Sequence, residues 1–133
     1  MSTPLDPAYG LLARARDDLF VVSNLAQEPD APGWVIGFHT EQAVEKALKA
    51  VLTAACIAYP RTHNLVMLVE LLRRAQRTLP PDANDFSRLI PYGVVLRYDD
   101  LPCEAPPNVP PEWFIAVAQN TLAWAQTQIS TKN

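Results

Sequence analysis

His39 and His63 are the two histidines of this chain, and histidine is the side chain that most readily gains and loses a proton near neutral pH. Gln42, Lys46 and Lys49 follow His39 at steps of three, four and three residues, and Thr53 follows them. A helix gathers that spacing into one narrow polar stripe. Arg61 and His63 come soon after, and Arg97 further on. Arginine takes phosphate oxygens two at a time, while lysine acts as a point charge. Brought together by folding, His39, Gln42, Lys46, Lys49, Arg61, His63 and Arg97 can bind a nucleotide phosphate or a nucleic-acid end. The plain alternative for any one of them is a solvated lysine, a satisfied surface or interface histidine at 39, and a connector hydrogen bond at 63.

Other chemistry finds little support. Two histidines 24 residues apart, with Cys56 off the face of His39, do not make the three or four ligands a zinc site needs, and no metal or cofactor is expected. No serine sits in a nucleophile elbow. The four glycines are scattered, so there is no glycine-rich phosphate loop.

The stripe belongs to the segment that organises the chain. Phe38 to Tyr59 contains no Gly or Pro and is dominated by good helix formers. Val44, Leu48, Val51 and Ala55 fall on one side, flanked by Ala43, Ala47, Leu52 and Ala54, so most of the circumference is covered and only the polar stripe is left to face water, a ligand or a second subunit. Glu45 precedes Lys49 by four residues, the favoured order for a helical ion pair. Glu41 breaks the pattern by projecting near the apolar arc. This helix is expected to open at Pro32 and reach about Ala58, stopped by Tyr59-Pro60.

Around it, Asp6-Pro7 reads as a cap and first turn for a helix over about 7–27, carrying Leu11, Ala15, Leu19, Val22 and Ala26, with Asp17 and Asp18 mostly on other faces. Thr62 or Asn64 can cap a third helix over about 65–78, with Leu65, Leu68, Val69 and Leu72 inward and Arg73, Arg74 and Arg77 as a solvated end. Asp82 and Asp85 resemble a capping box. A fourth helix carrying Phe86, Leu89, Ile90, Val94 and Leu96 should kink or break near Pro91 and Gly93. Five prolines between Asp99 and Pro111 make a loop, and a last helix follows with Trp113, Val117, Asn120 and Trp124 on one stripe and Phe114, Ala118, Leu122 and Ala125 beside it. Ser130 to Asn133 should fray. No segment reads as a strand.

Phe38-His39 followed by Glu41-Gln42-Ala43-Val44-Glu45-Lys46-Ala47-Leu48-Lys49-Ala50 resembles the signature helix of the HEPN family. These are small helical proteins, many of them prokaryotic partners of minimal nucleotidyltransferases. Arg61-Thr62-His63-Asn64-Leu65 and Arg97-Tyr98 stand where the family's shorter motifs stand. The resemblance implies an all-α, antiparallel up-and-down bundle of about five helices, a two-fold homodimer, and a nucleotide-binding partner module paired with a nucleotidyltransferase-like protein in a toxin–antitoxin-like or regulatory setting. In the family's ribonuclease branch an arginine is followed, after a spacing of roughly four to six residues, by a histidine. Arg97 stands at the matching place, but Pro102, Cys103 and Glu104 occupy the positions where that histidine belongs. The incomplete motif leans against RNA cleavage. The alternative is a ribonuclease toxin using Arg97 with His63 or His39. The family's modifiable tyrosine has at most a shifted counterpart in Tyr98. Arg97 paired with Asp99, Asp100 or Glu41 is a structural reading of the same residues.

At 133 residues the chain is expected to be one domain, 1–133 with a core over about 7–129. A net charge of −3 and a pI of 5.2 leave no electrostatic footprint for duplex DNA, although a nucleotide or RNA remains a candidate ligand. Cys56 and Cys103 read as free thiols in a reducing cytoplasm, with no targeting peptide and no apolar run long enough for a membrane. Trp34, Trp113 and Trp124 are more large aromatics than a four-helix monomer needs, which fits an interface.

Overall fold

The computed structural model describes residues 5–95 and 109–130. Arg97, Tyr98, Asp99, Asp100, Cys103 and most of the proline-rich loop lie outside them. Five helices and one 3-10 segment make up an all-α bundle: α1 (Leu5–Leu25), α2 (Gly33–Ala54), α3 (Leu65–Arg74), the 3-10 segment Ala83–Leu89, α4 (Ile90–Val95) and α5 (Pro111–Ser130). No strand occurs among the described residues, and no described helix is long and apolar enough to cross a membrane.

α2 is the central element, packed against every other helix and the 3-10 segment. Ala43, Val44, Ala47, Leu48, Ala50, Val51 and Leu52 are buried along it, as the periodicity requires. The most extensive packing is with α1, across a short turn. α1 presents Ala8, Leu12, Ala15, Asp18 and Val22 inward, a face rotated from the expected one so that Leu11 and Leu19 are only half-buried. The four expected residues of α3, Leu65, Leu68, Val69 and Leu72, are all buried. In α5 the buried face centres on Phe114, Val117, Ala118, Thr121, Leu122 and Ala125, with Trp124 and Ile129, while Asn120 is exposed.

The helix ends depart most from expectation. α1 begins at Leu5, so Asp6 lies inside its first turn rather than capping it. α2 stops at Ala54, well before Tyr59-Pro60. Cys56 turns left-handed at φ 58°, its N–H donates to Thr53 O (3.1 Å), and Ile57 N–H donates to Leu52 O (2.9 Å). α3 stops at Arg74 in the same way, with Gln76 at φ 59° and Arg77 N–H on Leu72 O (3.0 Å). Both are Schellman endings, a motif that normally uses glycine. Asn64 caps α3 by accepting from Met67 N–H (3.2 Å), and Thr62 Oγ1 accepts from Asn64 N–H (3.1 Å). The capping box at Asp82 does not form. Its carboxylate instead accepts from Asn120 Nδ2 (3.4 Å). The expected break falls at Leu89, where 3-10 geometry gives way to α4.

Two close approaches lock the lower half of the bundle. Gly37 faces the Tyr92 ring so closely that a Cβ would stand 2.2 Å from Tyr92 Cδ1. Tyr92 meets Phe114 edge-on at 5.2 Å, and burial pushes its phenol above the ordinary tyrosine range despite the charge of Arg88. Trp124 is buried with its Nε1 donating to Thr78 O (3.2 Å), while Trp113 packs edge-on against Phe114 beneath the Arg88 guanidinium. These two tryptophans are therefore accounted for within one chain, and Trp34 alone of the three is exposed.

A polar face on the central helix

The polar stripe of α2 is less open than its sequence suggests, because acidic side chains reach under it. Asp18, on α1, is only 7% exposed. Its Oδ1 lies 2.9 Å from His39 Nδ1 and its Oδ2 accepts from Lys46 Nζ at 2.6 Å. Glu45, on α2 and 4% exposed, does the same for the other two basic groups. Lys49 Nζ donates to its Oε2 at 3.0 Å, and His63 Nδ1 lies 3.1 Å from that oxygen and 3.2 Å from Oε1. Each carboxylate thus bridges one lysine and one histidine.

Sequence position explains the convergence. His39, Gln42, Lys46 and Lys49 share a helix face, and α1 lies along one flank of it. The early Schellman stop at Cys56 turns the connector back, so that His63 meets Glu45 instead of leading away. On the same return, Tyr59 places its hydroxyl 3.2 Å from Thr53 Oγ1 and its ring 5.9 Å from Lys49 Nζ.

A carboxylate only accepts, so both imidazoles donate from Nδ1 and keep Nε2 for another partner. The His63 side chain is 59% exposed, and its Nε2 is available to a ligand. Glu45 is pulled two ways: burial alone raises its carboxyl, but the hydrogen bonds from Lys49 and His63 outweigh that and hold it below the ordinary glutamate range. Glu41, 1% exposed, accepts from Gln42 Nε2 (2.7 Å) and hydrogen-bonds to Glu45.

Of the candidates read from sequence, His39, Lys46, Lys49 and His63 come together with Gln42 among them. Arg61 is exposed on the connector and has no hydrogen bond or ion pair among the described residues, and Arg97 lies outside them. Among the described residues, no three His, Cys, Asp or Glu side chains gather to hold a metal ion. Asp18 is the site residue the sequence reading missed. Its signal was present: it stands three residues after Ala15 and four before Val22, in the middle of the buried stripe of α1.

The HEPN domain family matches the chain over residues 8–109. The chain belongs to the HEPN family. No curated protein and no solved structure matches it. The HEPN match takes in all of α2, α3 and α4, most of α1, and both carboxylate-centred clusters. α5 lies beyond it, although it packs against α1 and α2 and completes the core.

Proposed function

We propose that this HEPN-family chain is a nucleotide-binding partner module, acting as a homodimer beside a nucleotidyltransferase-like protein in a toxin–antitoxin-like or regulatory pair. The supporting observation is the gathering of His39, Lys46, Lys49 and His63 on one face of α2, with Gln42 between them and Arg61 adjacent in the connector. Phosphate oxygens are the ligands that such donors suit. The test is calorimetric titration of the protein with ATP, beside Arg61→Ala. Arg61 is exposed and makes no hydrogen bond or ion pair among the described residues, so its loss should leave the fold intact and weaken binding by about tenfold, the worth of one charge-assisted hydrogen bond. Absence of ATP binding by the wild type would end this reading.

A second reading, a ribonuclease with a non-standard site, draws on the carboxylate-held imidazoles. An imidazole anchored at Nδ1 with Nε2 outward is prepared to act as a general acid or base. Incubation with total RNA beside Arg97→Ala separates the two readings. Cleavage that depends on Arg97 makes the chain an enzyme. No cleavage by a folded protein leaves the missing histidine with its plain meaning.

A further inference from the structure

The two clusters repeat one unit: a buried carboxylate shared by a lysine and a histidine. Asp18 carries Lys46 and His39, and Glu45 carries Lys49 and His63. With neutral imidazoles each unit has no net charge, because the lysine balances the carboxylate. Each becomes singly positive when its histidine takes a proton. Lys46 and Lys49 stand one helical step of three residues apart, about 4.5 Å along the axis, on the scale of two linked phosphate groups. A lysine ammonium bound once to a carboxylate still has two N–H groups to offer, and a protonated imidazole offers Nε2–H.

We propose that the two lysine–histidine pairs form one proton-coupled site for a pyrophosphate group, one pair to each phosphate, as a nucleoside di- or triphosphate would present it. This rests on the nucleotide-binding reading above and adds the number of phosphates and the protons taken up. The charged and titratable groups facing His39 are Asp18 from α1 and Lys46 on its own helix. Among the described residues, His63 faces Glu45 on α2, which also holds Lys49 and is hydrogen-bonded to Glu41, while Tyr59 on the connector lies beside Lys49. Asp18 and Glu45, the carboxylates that hold the two imidazoles, are each balanced by a lysine. Without those protons, a pyrophosphate would meet a site of no net charge over two buried anions. Binding therefore draws protons from solution.

The test is titration of the full chain with inorganic pyrophosphate and, separately, inorganic phosphate, at pH 6 and pH 8, in two buffers of different ionisation enthalpy so that protons are counted. Pyrophosphate is expected to bind more tightly than phosphate at pH 6, to weaken by at least about tenfold at pH 8, and to take up protons on binding at the higher pH. His39→Gln and His63→Gln keep an N–H for the carboxylate but cannot titrate, and each should reduce both the proton count and the pH dependence. Equal binding at both pH values with no proton uptake overturns the proposal and leaves the nucleotide-binding reading standing. So does a pH dependence that both glutamine variants retain. No binding of pyrophosphate, phosphate or ATP at either pH overturns both. If a glutamine variant fails to fold by circular dichroism, the wild-type proton count and the phosphate–pyrophosphate ratio decide alone.

Discussion

Glu45 is the residue on which the polar face depends most. It is almost fully buried, yet it is ionised, because Lys49, His63 and Glu41 together supply more than burial takes away. A carboxyl depressed on folding contributes stability that is present above its unfolded value and lost as pH falls through the folded one. Glu45→Gln should therefore be less stable than wild type at pH 7, by about 3 kcal/mol, since the Lys49 ammonium loses its buried counter-charge and His63 its carboxylate acceptor. The gap should close as pH falls through and below the usual glutamate range, where the wild type loses the same contribution. Urea unfolding of both proteins across pH 3–7 measures this. A gap that stays constant with pH would mean the side chain matters by shape rather than charge.

Elements here are limited by their ends and by one tight crossing. Cys56 and Gln76 adopt a left-handed conformation that costs an ordinary residue about 1 kcal/mol more than glycine. Cys56→Gly and Gln76→Gly should each raise stability by about 0.5–1 kcal/mol, against the usual direction for glycine, and thermal melts of the two variants check it. Gly37 carries the opposite lesson. A methyl there meets the buried Tyr92 ring, which is itself held by Phe114, so Gly37→Ala should destabilise by about 1–2 kcal/mol even though alanine is the better helix former. A more stable Gly37→Ala would show that the α2–α4 crossing can open.

For the whole molecule, the prediction concerns assembly. Trp113 and Trp124 are absorbed by the chain's own packing, which removes much of the aromatic excess that suggested an interface. Trp34, at 38% exposure, and Phe20, at 67%, remain outside the core. If the homodimer proposal holds, sedimentation equilibrium will return about twice the 14.7 kDa chain mass at micromolar concentration. A monomeric mass would end that part of the reading and leave the polar face to act within a single chain.

The all-α class, the central role of α2 and its apolar arc were legible from residue order, because a helix imposes a fixed period that survives without tertiary context. The HEPN family was legible for a related reason: its signature lies almost wholly within that one helix. The inward residues of α3 and the break before Pro91 belong to the same local physics. What only the folded chain decided were contacts between elements. No period in α2 says that Asp18 of α1 will lie beneath Lys46 and His39, because that depends on how far α1 is rotated when it docks. Nor does any local signal place His63 on Glu45, because the return depends on a left-handed Cys56 where a glycine would have announced the turn. The stripe of basic residues was determined by sequence alone. Its balance of charge was set by tertiary structure, which brought a buried carboxylate to each lysine–histidine pair.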